Sequence, residues 1–580
     1  MANKKKNRNS NGRKFATQQG LDSFVKSICD IMRRSNCAGA LQYVPELTWI
    51  LFLRILDERE TREAEEAKAV GHDFRASLVE PFRWKDWAAP GGVKRVKLEQ
   101  GTSASPVFTF VHSELLPYLR TLQQKPNATA RQKVISEIMS SVERVRMDTE
   151  KNFLDVLDKV QEVSAENVDP THVFTLSQVY EGLLLKMGEK GNDGGQFFTP
   201  REIIRAMVRV VDPKIGQTVY DPGCGTGGFL AQAYEYMAGE RNAKIRSADD
   251  LEVLKLHTFY GREKDNLIYP IALANLVLHG IDEPHIWHGN TLTGSATYDG
   301  LYTDAPSFYD VIMMNPPFGG KEGKGAQTNF AYKTGATQML FLQHVIQHLN
   351  PNGAVCGIVL DEGVLFRTNE TAFVQTKRKL LDDCDLWCIV SMPGGVFSAA
   401  GAGVKTNLLF FVKGRPTEKI WYYDLSDIKV GKKRPFTLEK FDDFFRLLPT
   451  KGESERSWTV DIVARREEAK RQAEPFRQQA EKPSAEAAQL VQKVKELKKT
   501  RPDDKESIEE MLTRASDLTK EANELLAKAQ DIEYAAFDLK AVNPNAKDNE
   551  DKRTPEELLD FIEAKGGEVG EAFRLLRGIE

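Results

Sequence analysis

Two short segments carry residue types suited to chemistry on an amine. The first, Asn315-Pro316-Pro317-Phe318, directly follows the apolar run Tyr309 to Met314. Asn-Pro-Pro-aromatic is poor strand sequence and a rigid turn, so these residues are held out at the end of the preceding strand. An aromatic amine has its lone pair delocalised into the ring and attacks only when that pair becomes available. The Asn315 side-chain carbonyl and the Pro316 backbone carbonyl can each accept one amine hydrogen, and Phe318 can stack on a base that has left its duplex. Neither a metal nor a covalent nucleophile is required when the methyl donor is already a sulfonium. Taken alone, the segment also reads as a proline-rich turn without catalytic meaning.

The second segment, Asp221-Pro222-Gly223-Cys224-Gly225-Thr226-Gly227-Gly228-Phe229, follows an expected strand over Thr218 to Tyr220 and opens a helix expected over Phe229 to Met237. Its glycines let the backbone turn sharply and approach a ligand closely. Gly223, Gly225 and Gly228 also satisfy the G-x-G-x-x-G dinucleotide fingerprint. Two features count against a nicotinamide or flavin. Asp221 stands at the strand end, where its carboxylate can accept hydrogen bonds from an ammonium or from neighbouring amides. The next acidic residue at a strand end, Glu263 in Tyr260-Gly261-Arg262-Glu263, lies well beyond the offset of about 20 residues expected of a dinucleotide's ribose ligand. A carboxylate there suits two ribose hydroxyls, and S-adenosylmethionine has a ribose but no pyrophosphate. Ordinary strand-end capping is the plain alternative for both carboxylates. Asn290, in His288-Gly289-Asn290-Thr291-Leu292, offers a donor and an acceptor for an adenine edge, a weak signal by itself.

These groups must be brought to one edge of a sheet. Apolar runs at Thr218 to Tyr220, His257 to Tyr260, Tyr309 to Met314, Ala354 to Leu360, Leu386 to Ser391 and Asn407 to Val412 alternate with helical stretches, among them Gln338 to Leu349. That alternation predicts a doubly wound α/β sheet, and ligands of such sheets bind outside the strands' carboxyl ends. The expected organisation is a basic disordered arm over 1–20, an all-α domain over 21–170, a catalytic domain over 171–445 and a helical partner-docking region over 446–580. In that last region Ile508, Met511, Leu512, Ala515, Leu518, Ala522, Leu525, Leu526, Ala529 and Ile532 recur at helical spacing, with shorter helices before them broken near Pro475, Pro483 and Pro502. The stripe either closes an internal hairpin or docks on a partner.

At 580 residues the chain exceeds what one core organises, and its net charge of −4 is not the footprint of a free-standing DNA binder. The six cysteines lie in a chain that begins with a basic, polar stretch and shows no apolar run long enough to span a bilayer, which points to reduced thiols and a cytoplasmic location. No Cys or His cluster suggests a metal.

The Asp-Pro-x-x-Gly-Thr-x-Gly-Phe and Asn-Pro-Pro-Phe pair resembles the amino-methyltransferases. Gln196-Phe197-Phe198-Thr199-Pro200-Arg201, Tyr260-Gly261-Arg262-Glu263, Asn275-Leu276-x-Leu278-His279-Gly280 and Lys405-Thr406-Asn407-Leu408-Leu409-Phe410-Phe411 narrow the resemblance to the modification subunits of type I restriction-modification enzymes. It covers roughly residues 20 to 545. It implies a Rossmann-like S-adenosylmethionine-dependent methyltransferase sheet and methyl transfer to adenine N6 in DNA. Gln196 to Arg201 would pack on the methionine end of the cofactor, Thr226, Gly227 and Gly228 would form its loop, and Glu263 would take its ribose. Asn315 to Phe318 would be catalytic. Related single-chain enzymes commonly have Asp where this chain has Asn290. Charged helix stands where self-sufficient enzymes append a recognition domain, so sequence reading is expected to rest with a specificity subunit that joins two modification chains, with a restriction nuclease subunit as a further partner. The alternatives are a methyltransferase of another amine, such as an RNA base or a glutamine amide, and a non-catalytic cofactor-binding scaffold.

Overall fold

The computed structural model describes residues 18–37, 40–163, 199–296, 305–397, 405–431, 434–540, 542–545 and 554–576. Gln196, Phe197 and Phe198, the basic arm up to residue 17 and the glycine-bearing segment 188–195 lie outside the described residues.

Among the described residues ten strands form one sheet: β1 (Val219–Asp221), β2 (Phe259–Glu263), β3 (His285–Asn290), β4 (Ser295–Ala296), β5 (Val311–Met314), β6 (Val355–Asp361), β7 (Cys384–Ser391), β8 (Thr406–Lys413), β9 (Lys419–Asp424) and β10 (Ser457–Asp461). Their spatial order is β10-β9-β7-β8-β6-β5-β1-β2-β3-β4. β1 pairs in parallel with both β2 and β5, and the chain runs outward to β2 and β3 before returning to β5 on the other side. The carboxyl ends of β1 and β5 thus flank the topological switch point, where open α/β sheets bind ligands. β8 is inserted antiparallel between β6 and β7, and β10 runs antiparallel to β9.

Helices cover both faces, which is why the central strands read as unbroken apolar runs. Arg201–Val211, Gly228–Ala238 and Ile268–His279 lie on one face, whose core is continuous with that of the N-terminal helices. Thr337–His348 and Thr371–Asp383 lie on the other. The wholly buried helix Ile268–His279 joins the catalytic sheet to the N-terminal helices Ala40–Ala69 and Ala130–Ser140. A polar clasp closes this junction: Asp282 accepts from Arg131 Nη2 at 2.9 Å and Arg59 Nη2 at 3.1 Å, and Arg131 also meets Glu60 and Glu63.

The sheet runs past the expected boundary at 445, because β10 completes its edge and the helical region begins only at Ile462. Asp461 ends β10 and caps the next helix, its Oδ1 accepting from Ala464 N at 2.9 Å. The expected breaks at Pro475 and Pro483 are corrected: Ile462–Thr500 is one helix that contains both prolines, and the chain turns only before Lys505–Ala535. The Ala, Glu, Gln and Lys around the prolines are strong helix formers, and Pro483 is itself buried in the hairpin seam. Ala473, Ala480, Ala487 and Val494 face Ile508, Ala515, Ala522 and Ala529, both sets at heptad spacing. The stripe therefore closes an internal hairpin through its small residues and leaves Val491, Leu512 and Leu526 exposed. The hairpin's root is bolted to the sheet: Phe537 and Leu539 are buried in the second core, and Tyr422 Oη donates to Leu539 O at 3.0 Å. A separate helix, Pro555–Leu576, leaves Leu559, Ile562, Val569 and Phe573 exposed.

All six cysteines are buried free thiols. Among the described residues no cluster of His, Cys, Asp or Glu is placed to hold a metal, and no helix is long and apolar enough to cross a membrane.

Candidate active site

A cavity of about 370 Å³ opens at the carboxyl ends of β1, β2, β3 and β5. Thr199, Arg201, Asp221, Gly223, Gly225, Thr226, Gly228, Glu263, Asn290, Asn315, Pro317 and Phe318 all line it, so residues spread over more than a hundred positions of sequence share one space. Pro200, Gly227 and Pro316 are not among its lining residues: Pro200 precedes the first turn of Arg201–Val211, Gly227 caps Gly228–Ala238, and Pro316 is buried beneath the loop.

The glycine loop is built by hydrogen bonds that only a tight turn permits. Gly225 and Gly227 adopt φ of 53° and 79°, left-handed conformations that side chains disfavour. Gly225 N donates to Glu263 Oε2 at 2.9 Å and Gly223 N to Asp221 Oδ1 at 3.1 Å. Asn275 Nδ2 donates to Thr226 O at 2.9 Å, and Thr291 Oγ1 donates to Pro222 O, so the loop is braced from behind and from the side. Sequence reasoning assigned neither of these braces a role. For Asn275 a signal existed: Asn275 and His279 are one turn apart on an otherwise apolar helix, and buried polar groups need partners. His279 lies 3.3 Å from Glu235 Oε1 at the same end of the cavity as Arg201. Burial acts to raise the Glu235 carboxyl, but His279 and Arg201 overcome it and hold it below the usual carboxylate range.

Asp221 and Glu263 are both buried, 1% and 6% exposed. Burial pushes the Asp221 carboxyl up to about 8, opposed by the Gly223 amide and aided by the neighbouring Glu263 charge. Burial likewise pushes Glu263 up to about 7, although the amides of Asp265 and Gly225 favour its ionised form. Among the described residues neither carboxylate has a cation paired with it to settle its charge.

Asn315 leaves β5 with its side chain over the cavity. Its Nδ2 donates to Thr199 Oγ1 at 3.1 Å, which fixes the amide plane, and among the described residues its buried Oδ1 has no hydrogen-bond partner. A buried acceptor without a donor is costly unless a ligand supplies one. Phe318 meets the buried Phe397 edge to face, with ring centroids 5.6 Å apart, a second aromatic ring that sequence reasoning did not single out. Asn290 differs from expectation. Its Oδ1 accepts from Leu292 N at 2.9 Å and Thr293 N at 3.3 Å, so its carbonyl shapes its own turn and only its Nδ2 remains for a ligand.

The donor set suits S-adenosylmethionine. The cavity offers buried carboxylates for hydroxyls and positive charge, together with a loop whose glycines at 225 and 227 hold left-handed backbone.

Residues 172–482 match the family described as N-6 DNA Methylase, and residues 21–160 match the HsdM N-terminal domain. The methylase subunit of the type I restriction enzyme EcoEI of Escherichia coli is 33% identical over 77% of this chain and 88% of its own length. A modification subunit of a putative type I restriction enzyme from Vibrio vulnificus is also 33% identical, covers 77% of this chain and 93% of that one, and superposes with a TM-score of 0.67. A chain from a structure describing complex assembly and conformational transition of the type I R-M system is 31% identical, covers 97% of this chain and 100% of that one, and gives a TM-score of 0.62.

Proposed function

The chain belongs to the methylase subunits of type I restriction enzymes, adenine-specific DNA methyltransferases, and from that premise we propose that its cavity holds S-adenosylmethionine and that Asn315 to Phe318 present the target adenine to it. The single observation that carries this reading is the buried Asn315 Oδ1, an acceptor oriented by Thr199 and without a donor among the described residues.

S-adenosylmethionine, when bound, supplies an electrophilic methyl group on a positively charged sulfur. Glu263 accepts the ribose hydroxyls with the lone pairs that Gly225 and Asp265 leave unused. Asp221 and Glu263 place negative charge beside that positive ligand, and its arrival favours their ionised forms. Asn315 Oδ1 and the Pro316 carbonyl accept the two hydrogens of the adenine amine, which concentrates the lone pair on nitrogen. Phe318, with Phe397 beside it, holds the plane of the extruded base. Thr199 and Arg201 line the cavity; Gln196, Phe197 and Phe198, expected with them at the methionine end, lie outside the described residues.

Target reading rests with a specificity subunit, to which two modification chains bind; a restriction nuclease subunit completes the assembly. The exposed Val491, Leu512 and Leu526 on a rigid hairpin support this docking role. Removing the whole hairpin through residue 540 would also extract Phe537 and Leu539 from the core, so substitutions at the exposed positions are the cleaner probe.

The test is methyl transfer from labelled S-adenosylmethionine to unmethylated DNA, with the chain alone and with its specificity subunit, followed by nucleoside analysis. N6-methyladenine formed only with the subunit is the expected result. Label in DNA without it would require a recognition element in this chain, and no label in DNA under either condition would overturn the reading.

A further inference from the structure

After Phe318 the chain stays at the cavity. The Gly320 carbonyl accepts from Thr337 N at 3.2 Å, Glu322 N donates to Gly335 O at 2.8 Å, and Lys321 pairs antiparallel with Ala336. Residues 319–336 therefore form a closed loop. Its far side is tied to the end of β3: Asn329 Nδ2 donates to Leu292 O at 2.9 Å, and Phe330 is buried in the same apolar cluster as Leu292. The loop bridges the ends of β5 and β3, and Gly320, Lys321 and Glu322 line the cavity together with Asn290 and Leu292.

Glu322 is held in place within that loop. Its backbone carbonyl accepts from Gln327 Nε2 at 2.8 Å, and its Oε1 accepts from the Thr337 hydroxyl at 3.3 Å. Among the described residues Thr337 is the side chain's sole hydrogen-bond partner, so the second carboxylate oxygen is available to a ligand. Asn290 stands in the opposite condition, with both lone pairs of its carbonyl used in its own turn and only a donor remaining. An adenine edge presents an exocyclic amine, which needs an acceptor, beside ring nitrogens, which need a donor. Asn290 Nδ2 and the Lys321 ammonium can each serve a ring nitrogen and neither can serve the amine.

We propose that Glu322 is the acceptor for the exocyclic amine of the cofactor's adenine, with Asn290 donating to a ring nitrogen of the same base. This rests on the S-adenosylmethionine reading and assigns a recognition role that the usual strand-end position, occupied here by an amide, does not fill. The carboxylate also sets specificity, since it accepts from an amine and repels the carbonyl oxygen of a 6-oxo purine.

The test is calorimetric titration of the full-length chain, without DNA, with S-adenosylhomocysteine and with its analogue lacking the 6-amino group. The unmodified chain is expected to bind S-adenosylhomocysteine about tenfold more tightly than the analogue. Glu322→Ala is expected to abolish that difference by weakening S-adenosylhomocysteine alone, whereas Glu322→Gln, whose carbonyl still accepts, retains most of it. Equal weakening of both ligands, unchanged binding of both, or no preference in the unmodified chain would each overturn the assignment while leaving the cofactor reading intact. Unchanged titrations combined with a raised KM for DNA would place Glu322 against the target base instead. If the unmodified chain bound neither compound, the cofactor reading itself would fall, and this assignment with it.

Discussion

The carboxyl edge of the sheet and the C-terminal hairpin leave opposite kinds of group unsatisfied. At the edge, Asp221 and Glu263 are buried carboxylates whose preference for the neutral form is raised, and Asn315 Oδ1 is a buried acceptor without a donor among the described residues. In the hairpin the seam is built mainly of buried alanines at heptad spacing, while Leu512 and Leu526 stand 42% and 43% exposed. Unmet polarity inside a cavity calls for a small, charged ligand with hydrogen-bonding edges. Unmet apolar surface on a stiff helix pair calls for a macromolecule. The same physical accounting thus separates the chemistry of the chain from its assembly.

The sharpest way to break this contrast is Asn315→Ala, which should lower methyl transfer at least about a hundredfold, the scale of losing one group that stabilises a reacting centre. Calorimetry should show S-adenosylhomocysteine binding unchanged; a parallel loss of binding would make Asn315 a structural residue. Glu263→Gln comes next: it should weaken the cofactor by roughly tenfold or more, because two hydroxyls lose a charged acceptor. Binding that survives this change would return Glu263 to the role of a strand-end cap.

On the hairpin side, Leu512→Glu with Leu526→Glu should abolish co-purification with the specificity subunit while cofactor affinity and Tm hold. Intact co-purification would move the docking surface elsewhere. At the junction of the domains, Asp282→Ala should lower stability by about 1 to 3 kcal/mol, since Arg59 and Arg131 lose a shared acceptor. Urea unfolding followed by far-UV circular dichroism would measure it.

The smallest expected effect concerns pH. A carboxyl whose folded pKa is raised contributes stability that is complete below its unfolded value, about 4, and that is lost as pH rises through the folded value. For Asp221 that window ends near about 8. Asp221→Asn should therefore match the parent's Tm below about pH 4 and exceed it by a margin that grows up to about pH 8 and is constant above, even though it impairs ligand binding. A Tm difference that does not change with pH would show that Asp221 carries its charge at no cost.

Much of the site was legible because its parts are local. The turn at Asn315-Pro316-Pro317 and the glycines from 223 to 228 are fixed by backbone sterics, so their placement at strand ends could be read directly. The six predicted strands all exist, with ends shifted by no more than three residues. β3, β4, β9 and β10 were not among the predicted runs: β4 is only two residues long, and the Gly and His of β3 and the polar ends of β9 and β10 blur the apolar signal at the sheet's margins. Asn275, Thr291, Phe397 and Glu322 were not singled out for a reason of a different kind. Each acts through a partner that the fold, not the neighbouring sequence, brings to it: Thr226, Pro222, Phe318 and Thr337 respectively.

The sequence by itself therefore determined the α/β class, the sheet edge at which the cavity opens, most of the residue types that line it and the existence of a helical C-terminal region, because periodicity, turn chemistry and side-chain functional groups are properties of short segments. Only the tertiary structure decided that the hairpin closes on its small residues and leaves Leu512 and Leu526 exposed, that Asn290 spends its carbonyl on its own turn, and that a loop returning from β5 brings Glu322 into the same cavity. Those outcomes depend on which groups find partners across the fold, and hydrogen-bond satisfaction and packing are settled between segments, not within them.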